Sequence, residues 1–217
     1  MIVSSLPVAG ESPKTIDFAS KVIREGGFVI IPTDTTYAIA ADATNEQAVR
    51  AVIGLKGRSA SKAMSIIVSG YDEIERYADP NDRTRRIIRS LLPGPVTLLL
   101  PVNQDCTSLV CADKTVGIRI PKSEFCTALA KQTGVPLTAT SANASGQPDT
   151  YILRDAIEQL GALGTQIAFA VDGGELPLHR PSTIIDLCGD ESGYDRPRIV
   201  REGALSMEEL MKKIDEC

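Results

Sequence analysis

Residues 28–41 read FVIIPTDTTYAIAA and decide the fold class of this protein. Two short apolar runs, at 28–31 and 37–41, contain the β-branched and aromatic side chains that are typical of buried strands. Pro32 closes the first run, and the polar segment 33–36 connects it to the second. Because some connections along the chain are too short for a helical crossover, we expect part of the sheet to be antiparallel.

Helical and strand signals alternate on both sides of this stretch. A helix is predicted to open at Ser12-Pro13, and Thr44 is predicted to cap a second helix in a capping box with Gln47. The patterns predict further strands at 64–68, 96–100, 116–120, 137–140, 167–171 and 182–187, and further helices at 82–92, 123–131, 152–160 and 207–214. This alternation predicts an α/β fold with a mixed parallel and antiparallel sheet and flanking helices, in one domain over residues 1–217.

The composition favours a small ligand over a long polyanion. The chain has 43% hydrophobic residues, enough for an aliphatic core, and a net charge of -5. Proteins that coat nucleic acid usually carry the opposite balance of charge. A phosphate site on this acidic chain must therefore be a local cluster of cations.

Cysteine spacing argues against a metal site and a disulfide framework. The five cysteines include no CxxC pair, and His179 is the only histidine, so we expect reduced thiols and no structural metal. The N-terminal residues have neither a basic start nor a long apolar run, and the apolar run 96–100 is far too short to span a bilayer. We therefore expect a cytoplasmic protein without a membrane partner.

Two polar segments are candidates for ligand contacts. The hydroxyl-rich turn 33–36 lies between two buried strands, and the segment 138–146 places small hydroxyls and an amide at the end of another strand. Ligands of open α/β sheets bind beyond the carboxyl ends of strands. The alternative for both segments is turn chemistry, in which the side chains satisfy the local backbone.

Cations occur at two informative places. Lys56, Arg58 and Lys62 fall within seven residues, which suits either phosphate binding or a solvated basic loop. Arg119 lies in an otherwise apolar strand. If Arg119 faces inward it requires an anion, such as a substrate carboxylate, and strand alternation equally permits it to face solvent.

Several catalytic signatures are missing from the chain. It has no P-loop, no GxGxxG turn and no GxSxG elbow, and a Ser-His-Asp triad could form only through His179. The segment 94–97, Gly-Pro-Val-Thr, is interpreted as turn chemistry that opens a strand. We therefore assign no protein nucleophile and no general base, and leave the catalytic residues unnamed.

Taken together, the polar segments resemble those of the YrdC-like family in kind and in order. The resemblance covers about Thr15 to Ala204 and rests on seven segments, which are 32–37, Lys56 with Arg58, 93–97, 117–121, 140–143, 182–183 and 201–203. It implies a twisted α/β sheet curved around a deep basic cavity. It also implies conversion of ATP, bicarbonate and L-threonine to threonylcarbamoyl-AMP and pyrophosphate, with Mg²⁺ accompanying ATP.

The resemblance further implies site residues and partners. The positions that match the family's ATP site are Lys56, Arg58, Lys62, Ser141, Asn143 and Arg201. The positions that match its threonine site are Thr35, Arg119 and Ser182, with Arg119 the expected partner of the carboxylate. Thr33 and Tyr37 are expected to line the same pocket. A partner transferase is implied to pass the threonylcarbamoyl group to adenosine 37 of tRNA.

The sequence departs from the family pattern at 38–39, where Ala-Ile replaces Gly-Leu, and at Ala63, where proline is common. The Lys-x-Arg and Ser-x-Asn pairs are intact, which favours the synthase activity.

Two alternative functions remain open. One is a module that binds double-stranded RNA or tRNA through the same basic cavity, either weakly or as its main activity. Another is an accessory domain of a carbamoyl-transfer enzyme, against which the lack of cysteine pairs argues.

Overall fold

The structure, a computed structural model, describes residues 1–6, 12–57, 64–103, 110–112, 114–177, 180–189 and 197–216. The strands are β1 (Ile2–Ser5), β2 (Phe28–Pro32), β3 (Tyr37–Ala41), β4 (Ser65–Ile67), β5 (Val96–Pro101), β6 (Cys111–Ala112), β7 (Thr115–Arg119), β8 (Leu137–Ser141), β9 (Phe169–Asp172), β10 (Thr183–Asp186) and β11 (Arg198–Arg201). The helices are α1 (Pro13–Arg24), α2 (Glu46–Lys56), α3 (Tyr71–Tyr77), α4 (Asp82–Leu91), α5 (Glu124–Thr133), α6 (Leu153–Leu160) and α7 (Met207–Asp215). A 3-10 helix (Gly161–Gln166) follows α6.

The antiparallel part of the sheet includes the two strands at 28–41. β2 and β3 are antiparallel, with Phe28 opposite Ala41 and Pro32 opposite Tyr37. Every residue of both strands is buried, because α-helices cover one face of this hairpin and a second apolar layer covers the other.

Across the described residues the strands form one eleven-stranded sheet in the order β1-β9-β2-β3-β8-β4-β7-β5-β10-β11, with β6 beside β7. Four neighbouring pairs are parallel: β1 with β9, β9 with β2, β4 with β7, and β5 with β10. The other pairs are antiparallel. The predicted α/β fold with a mixed sheet and flanking helices is confirmed.

The pleat of the central strands separates a core face from an open face. Leu98 pairs with Ile118, and both side chains lie in the larger hydrophobic core. Their neighbours Leu99 and Gly117 pair with each other and face the opposite side, since alternate side chains of a strand point to opposite faces. On that side α1 and α5 cover β9, β2, β3 and β8, which leaves a concave surface over β4, β7, β5 and β10.

Two helix starts differ in detail from the prediction. The second helix is capped by Asn45, whose side chain accepts hydrogen bonds from the backbone of Gln47 and Ala48 at 3.0 and 3.2 Å. The prediction of Thr44 as this cap is wrong, because its hydroxyl donates to Asp42 instead, at 2.6 Å. The first helix opens at Pro13 as predicted, although the Ser12 side chain makes no capping hydrogen bond.

The state of one cysteine corrects the sequence analysis. Cys111 takes part in a disulfide bond, so the prediction of reduced thiols is wrong at this position. A disulfide depends on the distance between two side chains in space, which the spacing along the chain does not reveal. Cys126 and Cys188 are free.

Within the described residues, no helix combines the length and the apolar composition that crossing a membrane requires.

Candidate functional site

A polar cavity of about 250 Å³ lies on the open face of the sheet. Its floor is formed by β4, β5, β8 and β10, and its walls by the turn after β2, the end of β7 and the end of β11. The residues that line it are Thr33, Thr35, Thr36, Ala38, Ser65, Ile67, Thr97, Leu99, Arg119, Ala139, Thr140, Ser141, Asp149, Pro181, Ser182, Ile184, Val200 and Arg201.

Gly117 allows β7 and β4 to lie close together beneath the cavity. A Cβ atom at this position would meet the Ser65 hydroxyl at 2.6 Å, so a larger residue would require the Ser65 side chain to move.

The turn between β2 and β3 has the predicted turn chemistry and also lies at the cavity. The Thr33 hydroxyl accepts hydrogen bonds from the backbone N–H groups of Thr35 and Thr36 and donates to the Thr36 carbonyl at 2.7 Å. The turn is therefore satisfied internally. The Thr35 hydroxyl lies 3.1 Å from that of Thr33, and both residues line the cavity.

Arg119 faces the cavity and is 6% exposed. Its guanidinium donates to the Thr35 hydroxyl at 2.9 Å and forms a close ion pair with Asp34. Its Nε has no hydrogen-bond partner among the described residues. Desolvation lowers the pKa of Arg119, and the charge of Asp34 opposes this change. The inward alternative of the sequence analysis is correct, and the anion that it required includes Asp34, which that analysis missed.

A chain of polar contacts joins β5, β10 and β11 at the opposite wall. The hydroxyls of Thr97 and Ser182 lie 2.8 Å apart, and both residues are buried. Arg201 donates to the Ser182 carbonyl at 2.7 Å. Burial lowers the pKa of Arg201, and the negative charge of Asp149 opposes this change. These contacts bring two predicted site residues, Ser182 and Arg201, together.

A third cluster lies where α2 ends beside β8. Lys56 is buried, and its ammonium group donates to the Asn143 side chain at 2.9 Å and to the Ser141 carbonyl. The Ser141 hydroxyl also donates to the Asn143 side-chain oxygen, at 2.6 Å. Ser141 lines the cavity, so three of the predicted ATP-site residues are brought together at its edge.

Tyr37 is not part of the cavity wall, contrary to the prediction that it lines the threonine site. Its side chain is fully buried in the core, because the pleat of β3 turns Ala38, not Tyr37, towards the cavity. The hydroxyl donates to the Gly174 carbonyl at 2.7 Å and accepts from the Gly173 backbone at 2.9 Å. Burial raises the pKa of Tyr37, which is consistent with a structural hydroxyl.

Arg58 and Lys62 lie outside the described residues, so their assignment to the ATP site stays a prediction. Among the described lining residues the charged ones are Arg119, Arg201 and Asp149. The basic character of the cavity likewise stays a prediction.

Three of the polar lining residues were not predicted as site residues. Thr97 was interpreted as turn chemistry, and Ser65 and Asp149 were not singled out. Thr97 lies two residues after a proline and Ser182 one residue after another. This similarity is only a weak signal in the sequence. The two residues meet in space because β5 and β10 pair in parallel.

Comparison with known proteins identifies the family. A family model for Sua5, YciO and YrdC proteins, described as "Telomere recombination", matches residues 21–203. The chain belongs to the Sua5/YciO/YrdC family. The resemblance that rested on seven ordered segments is thereby confirmed for most of the chain.

Three members of the Sua5/YciO/YrdC family are especially informative. A Methanocaldococcus jannaschii protein, provisionally named threonylcarbamoyl-AMP synthase, is 37% identical over 93% of this chain and 92% of its own length. The Pyrococcus abyssi threonylcarbamoyl-AMP synthase is 32% identical over 93% of this chain and 57% of its own length. The crystal structure of P. abyssi Sua5 complexed with L-threonine matches with a TM-score of 0.88 and 30% identity, over 99% of this chain and 61% of that chain.

Within the described part of the chain, no group of three or more His, Cys, Asp or Glu residues could hold a metal ion. Mg²⁺ that arrives with a nucleotide needs only one or two protein carboxylates, because phosphates and water complete its coordination.

Proposed function

We propose that this protein is a threonylcarbamoyl-AMP synthase, which converts ATP, bicarbonate and L-threonine to threonylcarbamoyl-AMP and pyrophosphate. The observation that carries this proposal is the convergence of Arg119, Ser182, Ser141 and Arg201 on one cavity, although they come from four different strands or strand ends. Relatives from archaea, bacteria and mammals bear the same enzyme name.

We assign the wall around Arg119 to the amino acid. The Nε–H of the buried guanidinium has no partner among the residues that the structure describes, and a carboxylate is the group that an arginine fork binds best. The hydroxyls of Thr33, Thr35 and Ser182 can then bind the remaining polar atoms of threonine. The P. abyssi relative that was crystallised with L-threonine supports this assignment.

We assign the wall around Ser141 to ATP. Lys56, Asn143 and Arg201 lie at this wall or beside it, and Arg58 and Lys62 complete the proposed set of cations. Mg²⁺ is expected to arrive bound to ATP and to neutralise part of the triphosphate charge. Cations and hydroxyls of this kind suit a phosphate chain.

The chemistry requires positioning more than covalent catalysis. The threonine amine and bicarbonate combine to a carbamate with loss of water. A carbamate oxygen then attacks the α-phosphorus of ATP, and pyrophosphate leaves. Holding the two substrates in one cavity supplies the orientation, and the cations stabilise the charge on the leaving group. The proposal names neither a nucleophile nor a general base.

The proposal extends to what happens next. A transferase is expected to move the threonylcarbamoyl group to adenosine 37 of tRNA, and direct contact of this protein with RNA is expected to be weak because the chain is acidic. A cytoplasmic location is part of the same proposal.

Radiolabelled bicarbonate tests the proposed activity directly. The protein is incubated with labelled bicarbonate, ATP and threonine, and each omission serves as a control. We expect pyrophosphate release that depends on both threonine and bicarbonate, together with a labelled mixed anhydride with AMP. Tight RNA binding at physiological salt without pyrophosphate release would contradict the proposal and favour the RNA-binding alternative.

A further inference from the structure

The outer edge of β1 has no strand beside it among the described residues. β1 is the terminal strand of the sheet and pairs with β9. The backbone N–H groups of Ile2 and Leu6 donate to carbonyls at the two ends of β9, at 3.0 and 2.8 Å. The N–H and carbonyl groups of Val3 and Ser5 therefore point away from the sheet, because the backbone groups of successive strand residues alternate between the two edges.

The side chains around this edge are apolar and exposed. Met1 is 50% exposed, Ile2 58% and Val3 50%. Phe18 of α1 is 40% exposed, and its ring centroid lies 4.7 Å from that of Phe169 in β9. Single exposed apolar side chains need no explanation, whereas a cluster of them marks an interaction surface.

β1 is firmly held despite its exposure. The Ser4 hydroxyl lies 3.1 Å from the Thr15 hydroxyl of α1, which donates in turn to the Ser12 hydroxyl at 2.9 Å. The half-buried Leu6 packs against the smaller hydrophobic core. The edge is therefore presented by a fixed strand, which lowers the entropic cost of adding another strand to it.

The opposite end of the sheet is built differently. β11 begins and ends with an exposed arginine, Arg198 and Arg201, and its pairing with β10 contains a register irregularity beside Ile184. Charged side chains and bulges prevent an edge strand from pairing with another chain. Residues 1–5 include no charged side chain and no proline, and β1 pairs with β9 in continuous register. The edge of β1 thus lacks the protection that the edge of β11 has.

The strand that fits this edge best is a second copy of β1. If the second copy runs in the opposite direction with its Val3 opposite the first, the N–H groups of Val3 and Ser5 meet the carbonyls of Val3 and Met1 in that copy. The net charge of -5 makes two copies of the chain repel each other, and this repulsion is weakest where no charged side chain lies. A two-fold contact of this kind closes on itself and ends at a dimer.

We propose that this protein forms a two-fold symmetric dimer, in which the β1 edges of two copies pair in antiparallel fashion and join their sheets. Three strands, β9, β2 and β3, separate β1 from β8, the nearest strand in the floor of the polar cavity. Both cavities therefore stay open in the dimer, and the dimer is independent of the reaction proposed above.

Sedimentation equilibrium at a series of protein concentrations tests this proposal. We expect the 23.2 kDa chain to shift from monomer to dimer with a dissociation constant of about 10–100 μM, because a contact of one short strand per copy is small. Val3→Pro removes the central outward N–H, and Val3→Lys places two like charges opposite each other. Each variant should weaken the dimer at least about tenfold, since every lost contact is lost twice across the two-fold axis.

Met207→Lys is the matched control, because Met207 is 53% exposed and lies on α7. It should dimerise as the wild type does, and circular dichroism checks that each variant keeps its fold. A wild type that stays monomeric at every concentration would overturn the inference. So would a dimer that persists in both folded Val3 variants, or an assembly that grows beyond the dimer.

Hydrogen exchange in the wild type gives a second readout that needs no variant. The outward amides of Val3 and Ser5 should exchange at least about tenfold more slowly at concentrations where the dimer forms than in the dilute monomer. The exposed amides at the start of α7 should exchange equally under both conditions. Dimerisation without slower exchange at Val3 and Ser5 would place the contact elsewhere and overturn the inference.

Discussion

The guanidinium of Arg119 and the carboxylate of Asp34 form a buried ion pair, with only 7% and 9% of the two side chains exposed. Asp34 also accepts a hydrogen bond from the Lys122 backbone at 3.0 Å. The turn after β2 is thereby tied to the end of β7, and Arg119 is held in the cavity wall. Within the described part of the chain, its Nε has no hydrogen-bond partner.

We predict that Asp34→Ala strongly destabilises the fold. The change leaves a buried positive charge without its partner, which typically costs about 3–5 kcal/mol in the free energy of unfolding. Urea denaturation provides the measurement. Glu46→Ala is the control, since its ion pair with Arg50 is 63% and 62% exposed and such pairs contribute less than about 1 kcal/mol. Similar small losses in both variants would contradict the prediction.

Arg119→Ala is expected to raise the threonine KM of pyrophosphate release about 30-fold or more, as loss of a charge-assisted hydrogen bond of about 2 kcal/mol implies. The ATP KM should change less than about threefold. Arg119→Lys keeps the charge but not the fork, so it should recover only part of the loss. An unchanged threonine KM would remove Arg119 from the amino-acid site.

Lys56→Met should abolish pyrophosphate release that depends on threonine and bicarbonate, because it removes a cation from the proposed triphosphate site. It also removes the donor that holds Asn143 and the end of β8, so some stability is lost as well. Calorimetry with ATP, alongside circular dichroism, separates the two effects. Lys131→Met, on an exposed part of α5, is the matched control. A folded Lys56→Met variant with normal ATP affinity would refute the assignment.

Thr97→Val removes a hydroxyl while it preserves the shape of the side chain. The Ser182 hydroxyl then loses its partner at 2.8 Å and keeps only the longer contact with the Arg201 guanidinium, at 3.5 Å. We expect the threonine KM to rise about fivefold, as loss of about 1 kcal/mol implies, with kcat within about twofold. Steady-state kinetics measure both. Thr97→Ser should restore the wild-type KM, and equal KM values for the two variants would exclude a positioning role.

Tyr37→Phe tests whether Tyr37 is structural. Removing the hydroxyl deletes its hydrogen bonds to the Gly173 N–H and the Gly174 carbonyl, and each such bond contributes about 0.5–1.5 kcal/mol to the free energy of unfolding. The threonine KM should not change, because the side chain lies outside the polar cavity. A large rise in KM with normal stability would reverse this interpretation.

Alkaline denaturation provides a second measurement on the same variant. Burial raises the pKa of Tyr37, so the neutral phenol is favoured in the folded state. Its stabilising contribution is present below about pH 10, the usual pKa of tyrosine, and is lost as the pH rises through the folded-state pKa. The stability of Tyr37→Phe should therefore fall less steeply with increasing alkalinity.

Much of the fold was predictable because its strands are strongly apolar and end at clear turn residues. The hairpin at 28–41 and the strands near 96–100, 116–120 and 137–140 agree with the structure to within one or two residues. The short helix α3 and the outer strands β1 and β11 were not predicted. β1 and β11 are largely exposed, so the burial pattern that reveals a core strand is missing from their sequences.

The candidate site was predictable only as a set of polar segments. Sequence order identified Arg119 and Ser182, but it could not identify Asp34 as the partner of Arg119 or Thr97 as the partner of Ser182. Both contacts cross 85 positions of chain, and they arise because β10 lies beside β5 and the turn after β2 meets β7. Tyr37 was assigned to the cavity in error, since the pleat of β3 decides which of two adjacent residues faces it.

Local chemistry alone therefore determined the alternation of strands and helices, the tight turn after β2 and the types of side chain available for binding. Only the tertiary structure decided which of those side chains meet, which charges are paired and which carboxylate enters the cavity. The physical reason is that hydrophobic periodicity acts over a few neighbouring residues. Contacts in a mixed sheet, by contrast, depend on strand order and register, which the whole chain sets together.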